Sequence, residues 1–229
     1  MRKSICLVVL ALFPLVAFSQ SPENFEIYAS GGISIPWSSN DCSKYYTPTI
    51  FSAAAIPSFK FSDTWTGGFH FGFGLGHTLL PNLSGILDLN YNSSILNKTQ
   101  MLTDLGLNVN DYVDDATMKM VSINANLKYV IPQPDLFFDP YVIAGAGYTG
   151  IAADDISIIS SAYGEIAATF KAQDAINTSL GVGVDIRSSE SSSLFLEVRY
   201  DVSYTKSPSP FNADNFSIIP VRVGIRGTL

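Results

Sequence analysis

Phe69, Phe71, Phe73 and Leu75 alternate with His70, Gly72, Gly74 and Gly76, and further segments of this chain repeat that period of two. A strand sends successive side chains to opposite faces, so alternation sustained over about 9 to 11 residues describes a strand with one apolar and one polar wall, long enough to cross a bilayer. The other segments open with Phe25-Ile27-Ala29 followed by Ile33-Ile35, then the odd positions Leu83 to Tyr91 and Val121 to Tyr129. The even positions Ile176 to Ile186 and Leu194 to Val202 and the odd positions Ile219 to Ile225 complete the regular ones. An eighth segment, 137–148, is apolar on both sides and rich in glycine, and its orientation stays open at this level.

Composition narrows what these strands can build. The 229 residues are 47% hydrophobic and 14% charged with a net charge of −7, too apolar for a disordered chain and too acidic for a nucleic-acid binder. Past the N-terminus no long uncharged run reads as a membrane helix. A soluble β-rich domain or a transmembrane β-barrel remains, and the connectors separate the two. They run roughly 36 to 66, 79 to 82, 94 to 116, 132 to 136, 150 to 174, 188 to 193 and 205 to 216, long and short in strict turn. Outer-membrane barrels segregate periplasmic turns from extracellular loops in this way, whereas a lipocalin-like soluble barrel has no reason to.

Charge assigns the faces. Asp88, Lys128, Asp185, Arg187, Glu197, Arg199, Asp201, Arg222 and Arg226 collect on the mixed-polarity side of their strands. Arg or Lys facing lipid at mid-depth costs about 2 to 4 kcal/mol, so this side is expected to be the lumen. Eight strands leave only enough room for side chains, and these acids and bases are expected to pair there. Trp37, Trp65, Tyr91, Tyr148, Tyr204 and Phe216 fall at the expected outer strand ends, and Tyr129, Phe137 and Phe138 at the inner ends, as interfacial aromatics would.

The first nineteen residues read as a removable leader. Arg2 and Lys3 precede an apolar run from Ile5 to Val16, and Ala17-Phe18-Ser19 places small residues before Gln20. Residues 20–229 are then the barrel domain. Cys6 would leave with the leader, so Cys42 remains alone and no intramolecular disulfide is expected.

Motifs that could carry chemistry are weak. Gly145-Ala146-Gly147-Tyr148-Thr149-Gly150 matches a dinucleotide fingerprint, but that site needs a helix inside a βαβ unit, and glycines recur throughout these strands. His70 and His77, seven apart on one strand, point to opposite faces and cannot share a metal. Asp111, Asp114, Asp115, Asp154 and Asp155 lack EF-hand spacing, and Asn82, Asn92, Asn97 and Asn177 sit in N-x-[ST] triplets expected by chance. No catalytic residue, cofactor or metal site is expected.

Ala17-Phe18-Ser19-Gln20, Asp139-Pro140-Tyr141-Val142-Ile143-Ala144-Gly145, Leu180-Gly181-Val182-Gly183-Val184-Asp185-Ile186-Arg187, Leu194 to Tyr200 and Val221 to Arg226 resemble the outer-membrane β-barrel (PorT-like) family common in Bacteroidetes. The resemblance spans most of the chain and is strongest from residue 139 onward. It implies an architecture similar to OmpA- and OmpX-type barrels; these usually close on an aromatic, where this sequence has Gly227-Thr228-Leu229. The expectation is an all-β, eight-stranded, antiparallel, up-and-down transmembrane barrel in the cell outer membrane, non-enzymatic, surrounded by outer-membrane lipid. Its leading role is structural or interactive, displaying extracellular loops. A narrow porin-like channel for small solutes and an accessory role in protein secretion or envelope assembly are the alternatives. Envelope or secretion proteins are the candidate partners, nucleic acid is not, and the sequence leaves the oligomeric state open.

Overall fold

The computed structural model describes residues 25–37, 46–49, 61–133, 136–162, 164–189, 191–205 and 215–228. The expected leader and Cys42 lie outside these residues. The described strands are β1 (Phe25–Pro36), β2 (Tyr46–Thr49), β3 (Trp65–Leu80), β4 (Leu83–Leu96), β5 (Tyr112–Val113), β6 (Thr117–Val130), β7 (Phe138–Ala153), β8 (Ile156–Ser160), β9 (Gly164–Phe170), β10 (Gln173–Arg187), β11 (Ser192–Thr205) and β12 (Asn215–Thr228). Two short helices, α1 (Phe61–Thr64) and α2 (Lys98–Asp104), lie between them.

Eight long strands close a barrel in the order β1-β12-β11-β10-β7-β6-β4-β3, every neighbouring pair antiparallel. β1 makes the seam, running from Glu26 opposite Thr228 to Pro36 opposite Ile218 on one side and from Phe25 opposite His77 to Ser34 opposite Gly68 on the other. Closure leaves the wall without an edge, which is what lipid demands of a sheet. At one end the connections are short. Between β3 and β4 only Pro81 and Asn82 turn the chain, Leu80 facing Leu83. Proline fixes its own φ and Asn82 takes φ 66°, the combination of a type II turn.

Alternation sorts side chains as the sequence requires. Phe69, Phe71, Phe73 and Leu75 project outward at 47%, 54%, 64% and 58% exposure, while His70 between them is 1% exposed. The ambiguous segment resolves as β7: Tyr141, Ile143 and Thr149 turn inward, Val142 and Tyr148 outward. Small residues made both of its faces look alike.

Three inward rings each sit across the ladder from a glycine: Tyr28 from Gly74, Tyr141 from Gly183 and Phe195 from Gly224. A Cβ on Gly74 would lie 2.1 Å from the Tyr28 ring, one on Gly183 2.4 Å from Tyr141, and one on Gly224 2.5 Å from Phe195. The missing side chain is therefore the seat of the ring, which fills a lumen too narrow for two bulky neighbours. Gly183→Ala is expected to destabilise the barrel by about 1 to 3 kcal/mol through overpacking. In a Tyr141→Ala background the same change should cost less, the remaining close contact being the Leu196 backbone oxygen at 2.8 Å, and urea unfolding of the parent and the three variants in vesicles measures the difference.

Where they are described, the long connectors carry structure of their own. β2, β9, β8 and β5 pair in that order as a second antiparallel sheet. With α1 and α2 they bury a cluster containing Phe61, Trp65, Met101, Val113, Met118, Ile156, Ile158, Phe170 and Phe216. Trp65, Leu96, Met118, Met120, Ile151, Ala175, Phe216 and Ile218 come from the ends of barrel strands nearest the long connectors and the others from the connectors themselves, so the cluster caps that end of the lumen. Helix α2 is held at its start by Asn97, whose side chain accepts from the Gln100 backbone N–H at 3.2 Å.

Candidate functional site: the barrel interior and its cap

Eight of the nine expected lumen residues are buried inside the barrel, at 1% to 8% exposure: Asp88, Lys128, Asp185, Glu197, Arg199, Asp201, Arg222 and Arg226. Each reaches the interior because it occupies an inward parity position on its strand. They form two groups. In the first, the Asp88 carboxylate accepts from Tyr28 Oη at 2.9 Å, Asn90 Nδ2 at 2.7 Å, Asn126 Nδ2 at 3.0 Å and Arg199 Nη1 at 2.9 Å. Glu197 accepts from Arg199 Nε, from Arg222 Nε at 2.6 Å and from Tyr141 Oη at 2.9 Å. Arg222 also donates to Asn90 Oδ1 at 3.1 Å, and Asp201 accepts from Ser179 Oγ.

The second group lies toward the short turns. Asp185 takes Lys128 Nζ on one oxygen and Arg226 Nη1 on the other. Arg226 Nε faces Glu26 Oε2 at 3.4 Å. The seated rings separate the groups. Arg222 stands 5.7 Å from the Tyr28 ring centre, and Arg226 lies 5.0 Å from Phe195 and 5.7 Å from Tyr141. Lys128 sits 4.5 Å over Tyr141. Guanidinium and ammonium groups are thus held by carboxylates at their tips and by π faces along their sides.

Arg187 departs from the expectation. Its parity is inward, but it is the last residue of β10, beyond the packed interior, and its side chain is 53% exposed. There it makes a bidentate pair with Asp139, Nε to Oδ2 at 2.8 Å and Nη2 to Oδ1 at 2.7 Å. Glu26, Tyr28 and Tyr141 are interior residues that the charge pattern does not single out, whereas Phe195 follows the inward parity of Glu197 and Arg199. Glu26 and Tyr28 carry the inward parity of β1, which the alternation of Ile27 and Ala29 already implied.

Trp37, Tyr129, Tyr148 and Tyr204 stand outward at 62%, 48%, 50% and 42% exposure, and Tyr91 is half-buried beside Phe69, its ring stacked at 5.7 Å. Trp65 is instead fully buried, and Phe216 is 2% exposed. Both face the cap, with Phe61 edge-on to Phe216 at 5.0 Å. A ring at the outer end of a strand can meet lipid headgroups or a folded cap, and strand position alone does not separate the two. His70 is inward, its Nδ1 2.8 Å from Asn92 Oδ1. Among the described residues no cluster of three or more acids, histidines or cysteines is arranged for a metal.

Outside the wall, Asp111 ties two connectors together, accepting from the Ser161 backbone N–H at 3.1 Å and its hydroxyl at 2.9 Å. The backbone donor from Ser161 is the main reason its carboxyl is held below the ordinary aspartate range. Lys98 is raised above the ordinary lysine value, chiefly by its hydrogen bond to Asp115.

An edgeless antiparallel ring with an apolar outer wall, a charge-paired interior and turns segregated by length defines a bacterial outer-membrane β-barrel. The chain belongs to the outer membrane protein β-barrel domain family, whose model matches residues 5–226. Among solved structures it is similar to Neisserial surface protein A, with a TM-score of 0.52 and 14% identity over 91% of this chain and 98% of that one. It is also similar to OprG from Pseudomonas aeruginosa, with a TM-score of 0.45 and 14% identity over 90% of this chain and 96% of that one. No curated protein matches the chain.

Proposed function

We propose that this protein is a membrane-anchored platform, which holds a folded outer cap for interaction and passes no solute through its lumen. The observation that carries the reading is that the interior is filled at two successive levels. The paired charges around Asp88, Glu197 and Asp185 run from the middle toward the short turns, and the cluster around Phe61, Trp65 and Met118 covers the long-connector end. A barrel of eight strands has little space beyond its side chains, and here both levels are spent on packing. Residues 1–19 would serve as the export leader, and the family resemblance favours a Bacteroidetes-type, PorT-like member. By the rule of outer-membrane barrels, the short turns face the periplasm and the cap faces the medium.

Planar-bilayer recording tests the platform reading. Purified protein is expected to insert without stepwise conductance, and reproducible single-channel steps would replace this reading with the narrow-channel one.

A further inference from the structure

The cap's second sheet has an outer face on which none of the described residues packs. On β5 and β8, Val113 and Ile158 turn inward at 3% and 1% exposure and belong to the cap's core. Their alternates, Tyr112 and Ile159, face each other across the ladder and are 58% and 56% exposed. Val109, in the connector entering β5, is 61% exposed. Unlike the exposed side chains of the barrel wall, these lie beyond the membrane-spanning strands, so lipid does not account for them.

Two acids frame the same face. Glu165 lies opposite Ile159 on β9, and Asp114, two residues past Tyr112, extends the β5 pairing by donating its backbone N–H to Ser157 O at 3.0 Å. The nearest described cation, Lys98, is already bridged to Asp115 at 2.8 Å. β5 is also the terminal strand of its sheet among the described residues. An apolar centre within a polar, charged rim is the arrangement of a protein-binding surface, and the sign of the rim selects the partner. A second copy would bring the same acids against these, and the phosphates of outer-leaflet lipid would be repelled.

Resting on the platform reading, we propose that Tyr112 and Ile159, rimmed by Asp114 and Glu165, dock a basic polypeptide that presents apolar side chains between its cations. Apolar contact supplies the affinity and the acids set the sign and the approach rate, so binding weakens as salt is raised.

Fluorescence anisotropy on the full chain, folded in detergent micelles, tests this with a labelled peptide of alternating lysine and valine or phenylalanine. Two controls are the same peptide with glutamate for lysine, and one of equal composition with its lysines in a single block. The alternating basic peptide is expected to bind, and Tyr112→Ser and Ile159→Ser each to weaken it by about tenfold or more, with the heat-shifted gel mobility of the barrel retained. Asp114→Asn combined with Glu165→Gln should weaken it and flatten the salt dependence. Equal binding by parent and serine variants, or by the alternating and block peptides, would overturn the proposal and leave only the general attraction of an acidic protein for a cation. The platform reading fails separately, by conductance, which these binding measurements do not report.

Discussion

Glu197→Ala is expected to lower the unfolding free energy of the barrel by about 3 to 5 kcal/mol, the cost of leaving buried charge uncompensated. Glu197 is 1% exposed and is the acceptor shared by Arg199, Arg222 and Tyr141. Removing it leaves Arg222 with Asn90 Oδ1 and the Tyr28 ring but no carboxylate among the described residues, and leaves Arg199 with Asp88. The loss should come from the unpaired guanidinium more than from the missing contact. Glu197→Met combined with Arg222→Met is therefore expected to recover much of the stability, since apolar replacement of a buried pair is often neutral or better. Urea unfolding of the protein in lipid vesicles, followed by tryptophan fluorescence, gives both values. A single variant within about 1 kcal/mol of the parent, inside the range of a partly exposed ion pair, would mean that water reaches this network.

Trp65→Ala is expected to cost a similar amount, about 3 to 5 kcal/mol, by a different route. Trp65 has no exposed surface and lies where β3 enters the cap, among Phe61, Met118 and Phe216. Its removal opens a cavity between the second sheet and the barrel rather than inside the charged lumen. The damage should be local: the connectors around α1, α2 and β8 become susceptible to protease in intact vesicles, while the barrel keeps its heat-dependent gel mobility. Continued resistance of these connectors would show that Trp65 does not hold the cap. Even the damaged cap should leave the membrane electrically silent, because the ion-paired level beneath remains.

The wall was legible in the sequence and the cap was not, for one physical reason. Lipid on one side and paired charge on the other impose a period of two over a dozen residues, so Leu194 to Val202 or Ile176 to Ile186 declare both strand and face. The cap uses the same period over much shorter spans. Ile156 with Ile158, and Ile166 with Ala168 and Phe170, alternate for only a few residues inside connectors rich in serine and acid. Those fragments were the available signal, and their partners lie far off in sequence. Trp65 was misplaced on the same account, since a strand-end tryptophan suits lipid headgroups until the cap that covers it is known. Arg187 shows the limit of parity itself: the face is right, but the strand has already left the packed interior.

The span of the interior contacts along the chain bears on how such a barrel is made. Tyr28 and Asp88 are 60 residues apart, Asp88 and Arg199 111, and Asn90 and Arg222 132. Two of the four interior cations, Arg222 and Arg226, ride on β12, the strand that closes the seam against β1. A barrel still lacking β12 would hold Glu197 with Arg199 but without Arg222, and Asp185 with Lys128 but without Arg226. The interior network is therefore complete only when the last strand docks, and the buried charges favour the finished ring over an open one.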